Sequence, residues 1–195
     1  MIVREYESYA EYLAHQREKT TNPALRSKLT ARWPKDLRRF LAIFRRLDGT
    51  IPTGSRVLCL GARLGAEVAA MRQLRYDAIG VDLVANPPLV IHGDFHALPF
   101  PDDTFALAFS NSVDHVHDLG RFAAEDERVL RPDGHLLVVL PIGNYGRYEA
   151  RRIDSVAEFV GAFAGWSVIR ETSNGKPGAS ERVEVLMRRQ PCPAS

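Results

Sequence analysis

The sequence is poor in cysteine and lacks a long apolar run. Only two cysteines occur among its 195 residues, Cys59 within an apolar stretch and Cys192 near the end. This excludes a disulfide framework and a cysteine-based metal site, and it favours a reducing, cytoplasmic location. No segment approaches the roughly 18 apolar residues that a membrane-spanning helix needs. The first ten residues are polar and charged, so we expect neither a secretory leader nor membrane attachment.

An excess of one charge is also missing. The chain has 26 Lys and Arg against 24 Asp and Glu, a net charge of +2, which is too small to indicate a nucleic-acid partner. Six basic residues do crowd one stretch: Arg32, Lys35, Arg38, Arg39, Arg45 and Arg46. We interpret them as a solvated helix face, with RNA, an anionic substrate or a membrane surface as alternatives.

The first fifty residues are predicted to be helical. Apolar residues recur at helical spacing over 6–13, and Thr20–Pro23 interrupts that pattern. Pro34 suits the first turn of a second helix, which Gly49 ends. We expect residues 1–50 to form a lid or cap, residues 51–190 to form one ligand-binding domain, and residues 191–195 to be a tail.

From Arg56 onward, strand and helix patterns alternate. The predicted strands are Val57–Leu60, Asp77–Asp82, Leu89–Ile91, Thr104–Ser110, His135–Leu140, Trp166–Glu171 and Arg182–Arg188. The predicted helices between them are Gly65–Leu74, Leu119–Leu130 and Ile153–Phe163, and 174–178 is a loop. This alternation predicts an α/β fold: a Rossmann-like, seven-strand, mostly parallel sheet with helices on both faces and an antiparallel last strand.

Unusual residues follow several predicted strands, where open parallel sheets bind their ligands. Gly61 and Gly65 flank a strand-to-helix turn that lets a ligand approach the backbone. Asp82 ends the next strand, 21 positions after Gly61, where a carboxylate can accept both ribose hydroxyls of a nucleoside. A nicotinamide-binding domain would need the pattern Gly-x-Gly-x-x-Gly at this turn, and that pattern is absent here.

Further motifs carry a resemblance to a known family. Gly93–Asp94 is followed by Leu98–Phe100 and Phe105, and Arg128–Leu136 has the pattern of a helix, turn and strand. Together these motifs resemble the class I S-adenosylmethionine-dependent methyltransferases, especially the small-molecule branch typified by quinone-biosynthesis enzymes. The likeness covers roughly residues 56–140. It implies methyl transfer from S-adenosyl-L-methionine to a small-molecule acceptor.

The resemblance also implies cofactor-binding residues. They are Gly61, Ala62, Arg63 and Gly65 around the methionine part, Asp82 and Leu83 at the ribose, Asp94 at the adenine amino group, Phe95 against the base, and Asn111. Three positions depart from the family pattern. Arg63 replaces the middle glycine of the turn, Cys59 replaces the usual acid two residues before Gly61, and Ala106 follows Phe105 where aspartate is usual.

The candidate catalytic residues, His115 and Asp114, follow the fourth strand. A histidine with an unperturbed pKa near 6.5 suits a base that assists O-methylation, and Asp114 is expected to contact the substrate. The front helix is expected to close the site with Tyr12, His15 and Arg17 facing the acceptor. No metal site is expected, because His92 and His96 flank Asp94 without a third ligand. A non-catalytic domain of this fold that binds cofactor or a partner is the alternative function.

Overall fold

A computed structural model of the chain describes residues 2–173 and 181–190. Its strands are β1 (Ile2–Val3), β2 (Arg56–Leu60), β3 (Asp77–Asp82), β4 (Val90–His92), β5 (Phe105–Ser110), β6 (Leu130–Pro141), β7 (Arg151–Arg152), β8 (Trp166–Ser173) and β9 (Arg182–Arg189). Its helices are α1 (Tyr9–Thr21), α2 (Pro23–Phe44), α3 (Ala66–Gln73), α4 (Leu119–Val129) and α5 (Val156–Val160), with short 3₁₀ turns at Arg45–Leu47 and Val113–His115. The predicted loop at 174–178, the tail at 191–195 and Cys192 lie outside the described residues.

The predicted sheet is confirmed. Seven strands lie in the order β4-β3-β2-β5-β6-β9-β8; the pairs from β4 to β6 are parallel, and β9 runs antiparallel to both β6 and β8. The chain leaves β2 toward one edge of the sheet and then returns to β5 on its other side. The carboxyl ends of β2 and β5 therefore form the switch point at which this architecture binds ligands.

Apolar residues cover both faces of the sheet, so β2 is buried on each side. Leu58 and Leu60 pack with residues of α4 and α5, whereas Val57 and Cys59 pack with α2 and α3. The last turns of α2 belong to this second layer, with Phe44 fully buried. The expected boundary at residue 50 stays a prediction, and the end of α2 shares the core of the sheet.

The predicted start of the second helix was wrong. Helix α2 begins at Pro23, where the Asn22 side chain accepts the N–H groups of Ala24 and Leu25, and Pro34 lies inside the helix. Proline also suits a first helical position, so Pro23 rather than Pro34 marks the start. The interruption predicted at Thr20–Pro23 is the junction between α1 and α2.

Two further predictions about the second half of the chain need correction. The helix predicted over Ile153–Phe163 shrinks to α5, because the Ser155 hydroxyl caps it at the backbone N–H of Glu158. The two-stranded ribbon of β1 and β7, in which Ile2 pairs with Arg152, was not predicted. Two-residue strands are too short to produce a visible alternation in a sequence.

Candidate active site

A cavity lies above the carboxyl ends of β2, β3 and β5. It is lined by Tyr12, Gln16, Lys19, Thr20, Gly61, Arg63, Asp82, Leu83, Gly93, Phe95, Ser112 and His115. The structure thus brings together five of the predicted cofactor residues, Gly61, Arg63, Asp82, Leu83 and Phe95, with the predicted catalytic residue His115. Ala62 and Asn111 line a smaller adjoining recess, and Gly65 begins α3.

The turn after β2 keeps a left-handed shape despite losing a glycine. Gly61, Arg63 and Gly65 have φ angles of +68°, +44° and +76°. A Cβ atom on Gly61 would lie 2.9 Å from Cβ of Ser112, and one on Gly65 would lie 2.7 Å from Cβ of Leu89. Both glycines are therefore required by close contacts. Arg63 takes the strained conformation itself, and its N–H donates to Asp82 Oδ2 at 3.0 Å.

Asp82 is poised to accept further hydrogen bonds. Its Oδ2 accepts the N–H of Arg63, and its Oδ1 accepts the N–H of Val84 at 3.0 Å. Burial raises the pKa of this carboxyl, although the two N–H donors oppose that shift. A carboxylate oxygen has more than one lone pair, so each oxygen retains capacity toward the cavity.

Asp94 bonds to the front helix. Its neighbours Gly93 and Phe95 line the cavity, while its carboxylate accepts the O–H of Tyr9 and both the backbone N–H and the Nδ1–H of His96. His96 carries its proton on Nδ1 because Nε2 accepts the N–H of Asp118 at 3.1 Å. Burial alone would raise the pKa of Asp94, but these hydrogen bonds outweigh it and lower that pKa. Asp94 thus fastens α1 to the loop after β4.

Helix α1 forms the roof of the cavity. Tyr12, Gln16, Lys19 and Thr20 lie on one face of this helix, and all four line the cavity. Tyr12 is fully buried, and its hydroxyl donates to the carbonyl of His115 at 3.1 Å. Gln16, Lys19 and Thr20 were not predicted as site residues, although their spacing from Tyr12 places them on the same helical face. Arg17, expected to face the acceptor, is exposed.

His115 does not have the ionisation expected from the sequence. Its Nδ1 donates to the carbonyl of Tyr148 at 2.9 Å, so Nε2 carries the lone pair and accepts from Lys19 Nζ, also at 2.9 Å. Burial, together with the positive charges of Lys19 and Arg63, lowers the pKa of His115 to about 3. The side chain is a neutral hydrogen-bond acceptor at physiological pH. It is a much weaker base than a histidine with a pKa near 6.5.

Lys19 has the more suitable pKa for proton transfer near neutral pH. Burial and the charge of Arg63 lower the pKa of Lys19 to about 8, against the opposing attraction of Asp114 and Glu149. Lys19 lies at the junction of this cavity and a second one, since its side chain lines both. Buried lysines with lowered pKa values commonly act as bases or nucleophiles.

Asp114, His115 and Glu149 form a cluster that has ligand atoms suitable for a metal ion. These atoms lie within 4.8 Å of one another, and burial raises the pKa of Asp114. However, the His115 lone pair already accepts from the ammonium group of Lys19. Lys19 thereby occupies the lone pair that a metal ion would need, and we assign no metal to this cluster.

The recess beside the turn contains a buried acid. Glu67, in the first turn of α3, lines it together with Ala62, Arg63 and Asn111. Burial raises the pKa of Glu67 to about 7. Cys59, which stands where the family carries an acid, is fully buried in the adjoining strand. Glu67 and Asp36 are the carboxyl groups that line this recess.

A second cavity of about 290 Å³ adjoins the first. The two share Lys19, Arg63 and His115. The second also reaches Asn111 and Asp114 after β5, Tyr148 and Glu149 after β6, and several basic residues of α2 and β9. A ligand in the first cavity and a ligand in the second would thus meet beside Lys19 and His115.

Comparison with known proteins identifies the domain. A family described as the methyltransferase domain matches residues 58–138. Residues 58–138 therefore have the sequence pattern of a methyltransferase domain. This confirms the resemblance found in the sequence, and it supports S-adenosylmethionine as the cofactor of the methyltransferase domain.

Two known methyltransferases are similar to this chain, one in sequence and one in fold. A malonyl-[acyl-carrier protein] O-methyltransferase of Halorhodospira halophila is 33% identical over 98 residues, covering 42% of this chain. The match spans only about a third of that relative, 33% of its length. A Burkholderia thailandensis 1,6-didemethyltoxoflavin-N1-methyltransferase, solved with its substrate and S-adenosylhomocysteine, has a TM-score of 0.69 at 19% identity over 97% of this chain and 93% of its own.

A third methyltransferase has the same fold at a lower sequence identity. The S-adenosylmethionine-dependent methyltransferase of Aquifex aeolicus has a TM-score of 0.59 at 16% identity, over 74% of this chain and 87% of its own. At these identities, the solved structures establish a shared fold for the methyltransferase domain. Among the described residues, no helix has both the length and the hydrophobicity to cross a bilayer.

Proposed function

We propose that the protein is an S-adenosylmethionine-dependent methyltransferase that O-methylates a small molecule. One observation carries this proposal: the cavity at the switch point of the sheet shares Lys19, Arg63 and His115 with a second cavity large enough for a separate small ligand. The curated relative named above is an O-methyltransferase, and the solved toxoflavin enzyme acts on a small molecule. Two adjoining cavities suit a reaction between a cofactor and an acceptor.

The residues at the first cavity fit the cofactor. The cramped turn from Gly61 to Gly65, including Ala62, would surround the methionine part, with the guanidinium of Arg63 on its carboxylate. The remaining lone pairs of Asp82 would accept the two ribose hydroxyls. The other proposed contacts are Leu83 and Phe95 with the adenosine, Asp94 with the adenine amino group, and Asn111 beside the reactive end.

Asp94 would contact both the front helix and the cofactor in this arrangement. Its carboxylate already accepts three hydrogen bonds from Tyr9 and His96, so the adenine amino group would use the remaining capacity. The front helix and the cofactor would thus be held by the same carboxylate. This connects closure of the roof with occupancy of the adenosine site.

The assisting base expected after the fourth strand is better supplied by Lys19 than by His115. When bound, the cofactor supplies a sulfonium methyl group, which an acceptor oxygen takes as the bond to sulfur breaks. The neutral amine of Lys19 would remove the proton from that oxygen, because its pKa of about 8 lies close to physiological pH. His115 would orient the amine through Nε2, and Asp114 would stabilise the ammonium group that forms.

Calorimetric titration with S-adenosylhomocysteine tests the cofactor site. We expect the Asp82→Ala variant to bind at least about tenfold more weakly, because hydrogen bonds to a charged group contribute about 1.5–3 kcal/mol each. Asp77→Ala is the matched control, since Asp77 lies at the opposite end of the same strand and is exposed. Equal affinity of the wild type and Asp82→Ala would refute the assignment of this cavity to the cofactor.

A further inference from the structure

The second cavity is strongly basic at one end. Six of its lining residues are cationic: Lys19, Lys28, Arg32, Arg39, Arg63 and Arg182. Its two carboxylates, Asp114 and Glu149, both lie at the other end, with His115 and Lys19. The end formed by α2 and β9 is therefore lined by several cations and by no carboxylate.

Arg39 and Arg182 are the least compensated of these cations. Within residues 2–173 and 181–190, no carboxylate lies within salt-bridge distance of either guanidinium, whereas Arg32 contacts Asp36 at 3.3 Å. Nε of Arg39 is buried and has no hydrogen-bond acceptor among the described residues. Burial lowers the pKa of Arg39, and repulsion from Arg182 lowers it further, despite attraction from Asp36 and Glu67.

This arrangement is costly unless a ligand completes it. The buried Nε of Arg39 loses hydration that no protein acceptor replaces, although the guanidinium lies over the Phe40 ring at 4.7 Å, and a second cation nearby adds repulsion. An oxyanion between the two side chains would relieve both costs at once. The planar guanidinium fork also matches the two oxygens of a carboxylate or phosphate.

We propose that Arg39 and Arg182 bind an oxyanion of the acceptor, so that the substrate is a small organic acid or phosphate ester. The anionic group would lie at the basic end of the cavity, and the oxygen that accepts the methyl group would lie at the opposite end, beside Lys19. This inference rests on the proposed methyltransferase function and adds the chemical class of the substrate to it.

Arg182 separates this proposal from a cofactor role for the same charges. Arg39 also lines the recess beside the glycine turn, where the carboxylate of the cofactor would lie. Arg182 does not line that recess or the cofactor cavity, and it is exposed at the start of β9. Loss of Arg182 should therefore affect the acceptor and spare the cofactor.

Benzoate, benzamide and inorganic phosphate are suitable probes, titrated calorimetrically at low ionic strength into protein saturated with S-adenosylhomocysteine. Benzoate and benzamide have nearly the same shape but differ in charge. We expect benzoate or phosphate to bind at least about tenfold more tightly than benzamide, and the preferred oxyanion identifies a carboxylate or a phosphate site. We expect Arg182→Gln to remove most of that preference and Arg39→Lys to retain part of it.

Two control variants accompany the test. Arg38→Gln changes an exposed neighbour of Arg39 on α2, and Arg188→Gln changes the far end of β9. Both should bind the oxyanion as the wild type does.

Equal binding of benzoate and benzamide, or no binding of any probe, would overturn the proposal. A parallel loss of S-adenosylhomocysteine affinity in Arg182→Gln would also overturn it, by assigning the pair to the cofactor. Failure of the wild type to bind S-adenosylhomocysteine would instead refute the methyltransferase function.

Discussion

Lys19 Nζ donates to Nε2 of His115 over 2.9 Å, from a helix that lies 96 positions earlier in the chain. Because the other nitrogen of the ring donates to the Tyr148 carbonyl, this contact fixes both the tautomer of the histidine and the position of the amine. The two side chains therefore act as a unit, in which the lysine has the pKa for proton transfer and the histidine holds it in place.

This pairing predicts how the rate depends on pH. Methyl transfer to a hydroxyl should accelerate as pH rises through about 8, since only the neutral amine of Lys19 accepts a proton. Burial lowers the pKa of Lys19 most, Arg63 and Arg32 lower it further, and Asp114 and Glu149 raise it. The measurement is kcat/KM against pH.

Variants of the pair test that assignment. In Lys19→Met the rise near pH 8 should disappear and turnover should fall by roughly 10²–10⁴-fold, the usual contribution of a general base. His115→Ala should retain a rise but move it to higher pH, because the amine becomes better hydrated. A profile with an inflection near 6.5 that His115→Ala abolishes would restore the histidine as the base.

We expect Arg63 to lower the stability of the fold while it strengthens the binding of the cofactor. Replacing it by glycine should raise the free energy of unfolding by about 1 kcal/mol, because φ is +44° there and glycine adopts this conformation without strain. The same change removes the guanidinium proposed for the cofactor carboxylate, so S-adenosylmethionine affinity should fall by about tenfold. Chemical denaturation and calorimetry measure the two effects.

The control for Arg63→Gly is Arg75→Gly. Arg75 also has a positive φ, +66°, but it is exposed in the turn after α3. It should gain similar stability and leave cofactor affinity unchanged. If both variants bind the cofactor as the wild type does, Arg63 has no role in binding.

We expect the Tyr9 hydroxyl to hold helix α1, the roof of the cavity, against the loop after β4. Tyr9→Phe removes the O–H that Asp94 accepts and should lower stability by about 1 kcal/mol, which corresponds to about 2–4 °C in Tm for a chain of this size. The control is Tyr145→Phe, a change at an exposed ring. An unchanged Tm in Tyr9→Phe would show that the bond to Asp94 does not hold α1 in place.

The sheet was predictable from local patterns, and the roof of the site was not. Apolar runs that end at Gly61, Asp82 and Ser110 mark buried parallel strands, so the switch point follows from the sequence. The start of α2 was misplaced because two prolines, Pro23 and Pro34, satisfy the same rule and only the cap distinguishes them. The spacing of residues in the sequence does not distinguish Asn22, which caps α2, from other polar residues.

The chemistry after β5 was predicted only in part. The position of His115 beside the cavity follows from the fold, but its pKa depends on burial and on Lys19, which approaches from a distant helix. Lys19 lies among charged residues of an amphipathic helix, where a solvated side chain is the ordinary expectation. Its lowered pKa arises from tertiary packing, which a local pattern does not encode.

The ribbon of β1 and β7 affects how ligands reach the site. It holds the beginning of the segment that leads into α1, with Arg4 N–H extending the ladder to the carbonyl of Ala150 at 2.7 Å. This ladder is short, and the Arg4 side chain reinforces it by donating to the carbonyls of Glu149 and Gly146, while α2 holds the other end of the roof through the core. We expect the roof to detach from the ribbon first and to rotate about Asn22. The two residue pairs of the ribbon would then control the residence time of the cofactor.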